Sequence, residues 1–344
     1  MTYPSAALAF GRSKPHLGGL SRTNSPRECA YTANAISNLA PFASLVHRSV
    51  IDCATVFDAS PDWAGWTSPY FLHEGNLDLN WATWVRESPA ADRRQLVISQ
   101  PMIPSELSGE DWRAMGAAGD FNGYARQFAE NLVSYGVGDA IIRLGWEMNG
   151  TWGNDNLGTT PREAAEWVAT WRNIVTAMRS VPGAHFQFDW NVSNGTGDRP
   201  FSTYYPGNKY VDIVGDDIYD MGMRAIPGES RWTQAYDMPG GLGDLTSFAS
   251  EQGKPVSIPE WGLDVPGTAD LGGGDDPAFV TGLARFVAMH NVRFESYFDN
   301  HGAEQELAAG PASLRAYRAA FGDNGYALGP DDGTDALPHA ARRG

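Results

Sequence analysis

Eight short apolar or alternating runs, each closed by turn-forming residues, punctuate the chain and restrict what it can fold into. They fall at 6–10, 50–58, 96–100, 140–147, 185–191, 211–219, 255–260 and 292–299. Segments of helical period lie between most of them. In 121–135 the apolar side chains recur at Phe121, Tyr124, Ala125, Phe128, Ala129 and Leu132, which puts them on one face of a helix. The segments 161–179 and 277–290 both open on proline, behind Thr160 and Asp276, a favourable way to start a helix. Strands alternating with helices call for a parallel α/β architecture. No GxGxxG or GxxxxGK[ST] turn follows an early strand, which argues against an open doubly wound nucleotide-binding sheet. The expectation is a single-domain (β/α)8 TIM barrel over residues 1–328, with a polar Gly/Pro-rich tail over 329–344. At 344 residues the chain has the length such a barrel needs.

Charge narrows the partners. The formal net charge of −16, with no basic stretch, repels nucleic acid and favours a neutral substrate. No run approaches the ~20 apolar residues that cross a bilayer, so no membrane partner is expected. The seven histidines are scattered, without HxxxH or CxxC spacing, so neither metal nor other cofactor is expected. Cys29 and Cys53, the two cysteines, are open to two readings, one disulfide or two buried thiols. The start of the chain lacks a basic segment followed by an apolar run. Either export by that route is absent, or a leader is missing from this chain; the substrate class inferred below favours a secreted or cell-surface location.

In a barrel of this type the chemistry sits at the C-terminal strand ends. The fourth run closes with Arg143-Leu-Gly-Trp-Glu147-Met-Asn-Gly150 and the seventh with Ser257-Ile-Pro-Glu260-Trp-Gly262. Each puts one glutamate at the rim. A lone rim glutamate is commonly a surface carboxylate. Two of them, on strands that nearly face each other, suit retaining glycoside hydrolysis, which needs carboxyl groups about 5–5.5 Å apart. Aromatic side chains beside polar groups suit sugar rings, and Trp63, Trp146, Trp152, Trp190 and Trp261 are candidate platforms, with core packing the competing use of each. Asp58 and Asn149 are candidate partners for sugar hydroxyls. Alternation along the strands places Arg143 and Gly145 on the face of Glu147, and Asp217 and Gly215 on the face of Tyr219. It likewise aligns Gln187 and Asp189 with Asn191, and Arg293 and Glu295 with Asp299. A polar ladder inside the barrel follows, mainly structural, in which Arg143 and Arg293 need carboxylate partners because an unpaired buried charge is costly. Asp216, out of phase with Asp217, points toward the helices or caps a loop.

The segment from Ile141 to Trp152, Ile-Ile-Arg-Leu-Gly-Trp-Glu-Met-Asn-Gly-Thr-Trp, resembles the strand 4 motif of glycoside hydrolase family 26, the endo-β-mannanase family of clan A. Ile258-Pro-Glu-Trp-Gly262 is similar to its nucleophile motif, and Tyr210-Val-Asp-Ile-Val-Gly-Asp-Asp-Ile-Tyr219 to its strand 6. The order and spacing of the three agree over roughly residues 50–300. The resemblance implies Glu147 as general acid/base, Glu260 as nucleophile and Tyr219 as the hydroxyl that positions Glu260. It implies an oligo- or polysaccharide substrate, β-mannan first, cleaved by double displacement. Where the family usually has histidine before the acid/base, this chain has Trp146, which removes a polar contact from the site. Substrate-binding roles are then expected for Trp146, Asn149, Trp152, Trp190, Asn191, Asp217, Trp261, Asp58 and Trp63. Two other readings remain: a hydrolase of β-glucan or β-xylan, and a sugar-binding barrel without activity.

Overall fold

A computed structural model describes residues 26–323, except 74, 76, 90–92, 110, 196–198, 267–270 and 301–304. Eight parallel strands close into a barrel in sequence order. They are β1 (Arg27–Tyr31), β2 (Cys53–Phe57), β3 (Gln95–Gln100), β4 (Ile141–Leu144), β5 (Gln187–Ser193), β6 (Ile213–Asp220), β7 (Val256–Leu263) and β8 (Val292–Phe298). Closure is made by β1 against β8, in register from Arg27↔Phe294 to Tyr31↔Phe298. The expected (β/α)8 barrel is therefore the fold.

Seven of the eight expected strands coincide with observed ones, shifted by a few residues at their ends. The first does not. Residues 6–10 lie outside the described residues, and the first barrel strand is Arg27–Tyr31, Arg-Glu-Cys-Ala-Tyr. Its outer positions are charged or polar because they sit at the barrel's rim, so it lacks the apolar run that marks the others. The expected tail, 329–344, also lies outside the described residues.

Helices cover the barrel where the periodicity placed them, at Asn122–Ser134, Pro161–Arg179 and Pro277–Met289. Pro161–Arg179 begins with a capping box. The Thr160 hydroxyl accepts from the Glu163 amide, and the Glu163 carboxylate accepts from the Thr160 amide, satisfying donors that a helix start otherwise leaves open.

Inside the barrel the side chains form layers. At the N-terminal end Cys29, Cys53, Val97, Ile141, Ile213 and Phe294 make a closed apolar cluster. Of the two readings of the cysteines, the disulfide is the one found: Cys29 of β1 is joined to Cys53 of β2. Above this layer the interior turns polar. Thr55 bonds Ser296 at 2.9 Å, and Ser257 donates to Asp189 at 2.7 Å. Gly215 is needed here. A Cβ at this position would come within 2.8 Å of both the Asp189 carboxylate and the Ser257 hydroxyl.

The expected ladder needs one correction, on β8. Glu295 faces the helical layer, where it accepts from the Trp261 indole N–H, and Trp261 stacks on Tyr317 of the helix Pro311–Phe321. The β7–β8 register shifts twice, between Val256 and Ser257 and between Ile258 and Trp261. Alternation along β8 holds, but in the phase opposite to the expected one: Phe294, Ser296 and Phe298 face the interior, and Glu295 and Tyr297 face the helices. Among the described residues Arg293 has no carboxylate partner. Its guanidinium donates to the Gln187 amide oxygen, at 2.9 and 3.2 Å.

Candidate active site

β4 ends at Leu144, three residues before Glu147. Gly145 and Glu147 both take left-handed backbone, with φ of 53° and 52°. For glutamate that conformation is uncommon and costs of order 1 kcal/mol or more, so the surroundings must impose it. They do: the Gly145 N–H donates to the Gln100 carbonyl at 2.8 Å and the Glu147 N–H to the Asn191 carbonyl at 2.9 Å. The turn replaces the expected strand end at Glu147. It also brings Trp146 and Glu147, neighbours in sequence, to the same mouth, which a continuing strand could not do.

Arg143 lies one layer below and is fully buried. Its Nε donates to Asn191 at 2.8 Å and its Nη1 to Ser99 at 2.9 Å, and Nη2 is paired with Asp217. Nη1 also reaches Glu260 Oε1 at 2.6 Å. Asn191 in turn donates to Asp217 at 3.1 Å. Burial alone would lower the pKa of the guanidinium, but the charges of Asp217, Glu260 and Glu147 outweigh it and raise it. Arg143 is therefore a fixed cation beneath the mouth.

Glu260, on β7, is 7% exposed and held at both oxygens. Arg143 pairs with Oε1, and the Tyr219 hydroxyl donates to Oε2 at 2.7 Å. These contacts fix the carboxylate's plane. Burial, followed by the negative charge of Glu260, pushes the Tyr219 hydroxyl well above its ordinary value, so it remains a donor.

Glu147 has the opposite environment. Burial raises its pKa first, and the charge of Glu260 raises it further. Arg143 and donors from Trp152 and Ser193 act against that rise without cancelling it. The Trp152 indole N–H lies 2.6 Å from Glu147 Oε2, with the ring 58% exposed. The two glutamates thus share one mouth, one ion-paired and the other disposed to keep a proton, an arrangement typical of paired catalytic acids.

Aromatic rings from several strand ends surround them. Tyr31 stacks on Phe298 at 4.3 Å, Phe57 meets Phe298 at 5.9 Å and Trp146 meets Phe57 edge-on at 5.5 Å. A polar cavity of about 490 Å3 continues past Trp152, bordered by Trp112, Arg113, Thr151 and Asn154.

The remaining candidates are placed as follows. Asn191 and Asp217 are buried beneath the mouth as partners of Arg143. The Asn149 side chain clamps the Ser193 backbone, donating to its carbonyl and accepting from its N–H, each at 2.8 Å. Asp58 is buried and accepts from Ser60 at 2.6 Å and from Gln100 at 2.8 Å, so both its oxygens are engaged. Trp63 stacks on Tyr124 at 4.0 Å, against the helix Asn122–Ser134. Trp190 and Trp261 are not brought to the mouth. Both are wholly buried on the outer face of the barrel, Trp190 among Tyr204, Tyr205 and Phe248, and Trp261 among Tyr297, Tyr317 and Phe321. Each lies one position out of phase with an inward residue, Asn191 or Glu260, and alternation turns it to the helices.

Sequence reasoning missed four residues of the mouth. Tyr31 carries no signal in the sequence because the pattern places the first strand at 6–10. Phe57 and Phe298 stand one position before the expected strand ends at 58 and 299, and Ser193 two beyond the expected end at 191. A search of the last inward position of each run, for aromatic as well as acidic side chains, would have found Phe57 and Phe298.

Comparison with known proteins agrees with the fold and with the family resemblance. The model of glycosyl hydrolase family 26 matches residues 119–238. Endoglucanase H of Acetivibrio thermocellus is 26% identical over 259 residues, 71% of this chain and 27% of that protein. A mannan endo-1,4-beta-mannosidase of Bifidobacterium adolescentis is 30% identical over 199 residues, 54% of this chain and 18% of that protein. The chain thus spans little more than a quarter of the first relative and less than a fifth of the second. Among solved structures, a modular endo-beta-1,4-mannanase of Cellulomonas fimi superposes with a TM-score of 0.61 at 18% identity, covering 86% of this chain and 70% of that one. A Bacillus subtilis mannanase gives 0.57 at 14% identity, with 92% of each chain covered. The resemblance carried by the three motifs is therefore borne out: the chain is similar to glycosyl hydrolase family 26 in sequence over 119–238 and in barrel fold over most of its described length.

Proposed function

We propose that the chain is a retaining β-glycoside hydrolase acting on a β-mannan-type polysaccharide, with Glu260 as nucleophile and Glu147 as general acid and base. The observation that carries this reading is the contrast between the two carboxyl groups. Glu260 is paired with Arg143 and held by Tyr219, whereas burial and the charge of Glu260 push Glu147 up. In the first step Glu260 attacks the anomeric carbon while Glu147 protonates the departing glycosidic oxygen, and the C–O bond breaks. The ester formed removes the charge on Glu260, which lowers the pKa of Glu147. Glu147, now a carboxylate, takes a proton from water, whose oxygen displaces Glu260 from the sugar. Arg143 and Tyr219 stay bound to the nucleophile through both steps and receive it as it leaves. The partly exposed Trp152, which donates to Glu147, and the aromatic mouth offer apolar faces to a neutral sugar chain.

A β-glucan substrate is the second reading. It is favoured by the similarity to a protein named Endoglucanase H over 71% of this chain.

Product analysis after incubation with mannan, mixed-linkage β-glucan and xylan separates these readings. Release of oligosaccharides from mannan is expected, with loss of the order of a thousandfold or more in Glu260→Ala. Activity on β-glucan alone would favour the second reading. Binding of a glycan without turnover would leave an inactive sugar-binding barrel.

A further inference from the structure

The opposite end of the barrel from the glutamates holds a cavity of about 880 Å3, among whose borders are Arg27, Glu28, Arg48, Asp52, Gln187 and Arg293. Three cations and two carboxylates face it, in a chain whose formal net charge is −16. Two of the cations have carboxylate partners. Arg48 is paired with Glu28, and Arg27 Nη1 lies 3.5 Å from Asp52. Arg293 has only the neutral amide oxygen of Gln187, at 2.9 and 3.2 Å, and no carboxylate partner among the described residues.

We propose that this cavity is a binding site for a small oxyanion of the phosphate class, held chiefly by Arg293 and Arg27. An arginine normally meets a carboxylate or an oxyanion when it is half-buried, because its planar fork of N–H donors matches such groups. Arg293 is half-buried, and both burial and the like charge of Arg27 lower its pKa. Two guanidinium groups repelling each other across a polar cavity are in balance once a shared anion lies between them. The Nη1 of Arg293 and the amide N–H groups of Gln187 have no protein acceptor among the described residues and are available to the same ligand. Bound there, an anion would draw together the N-terminal ends of β1, β5 and β8, to which Arg27, Gln187 and Arg293 belong. This site is independent of the chemistry assigned to the mouth.

The test is thermal unfolding of the full chain at pH 7 in inorganic phosphate, against chloride at matched ionic strength. A saturable rise is expected, roughly 2–4 °C at ten times the dissociation constant. In Arg293→Gln the saturable part is expected to vanish, while the general stabilisation by an excluded salt persists. In phosphate-free buffer Arg293→Gln is expected to melt no lower than wild type, since the substitution relieves the repulsion of Arg27. That last result separates an anion site from a merely structural arginine. Equal phosphate responses in wild type and variant, or no advantage of phosphate over chloride, would overturn the proposal. If Arg293→Gln does not fold, Arg27→Gln carries the same comparison with the same two outcomes.

Discussion

Burial and the charge of Glu260 raise the pKa of Glu147, and Trp152 is the neighbour whose contribution can be isolated. Its indole N–H, 2.6 Å from Glu147 Oε2, favours the ionised form and so works against burial. Trp152→Phe keeps an aromatic face and removes the donor, so the pKa of Glu147 should rise further. A general acid acts while protonated, and rate falls as pH passes upward through its pKa. The alkaline limb of the kcat/KM profile is therefore expected to move to higher pH in Trp152→Phe. A limb that stays in place, or moves down, would show that the indole does not tune this carboxyl. At this scale the sequence is informative about which residues meet: Glu147, Glu260 and Tyr219, at or near the C-terminal ends of their runs, come together at one mouth. It was less informative for the tryptophans. Trp190 and Trp261 carry the right chemistry for a sugar, but which face of the strand they occupy depends on phase, and phase sends them to the helices.

The turn after β4 is the element on which the site depends. Its left-handed residues direct Glu147 into the mouth, and Gly145 leaves room for Met102, which a Cβ would approach to 2.7 Å. Gly145→Ala adds that clash to an unfavourable φ, so a destabilisation of about 1–3 kcal/mol is expected. Displacing Glu147 by even an ångström should lower kcat by something on the order of a hundredfold. Denaturant unfolding and steady-state rates check the two effects, and an unaffected kcat would mean that the turn does not aim Glu147. Such a turn cannot be read from the pattern, which runs on smoothly from Ile141 to Trp146. β1 was missed for a related reason. Its five residues include Arg27 and Glu28, which serve the barrel's rim and carry no apolar signal.

Across the whole molecule, buried carboxyl groups tie stability to pH. Burial, as the largest cause, raises Asp220 to about 6, Asp189 to about 7 and Glu295 to about 8. Unfolded carboxyls ionise near pH 4, so between these values the folded chain holds protons that the unfolded chain has released. Their contribution is therefore present at low pH and is lost as pH rises through the folded-state values. Glu295→Gln keeps an acceptor for the Trp261 indole and cannot ionise. Its melting temperature is expected to match wild type near pH 5 and to exceed it by a margin that grows toward pH 8.5. A constant difference across that range would remove Glu295 from the account. The barrel as a whole was legible because eight runs alternate with helices. The buried charges were not, since composition does not say which carboxyls lose their water.

The central claim is that two carboxyl groups, Glu260 as nucleophile and Glu147 as acid and base, act in turn at one anomeric carbon. Proton NMR of the first sugar product, recorded before mutarotation, tests it most directly. The first product is expected to keep the β configuration of the substrate. An initial product of α configuration would contradict it, because Glu260 would then be activating water instead of bonding to the sugar.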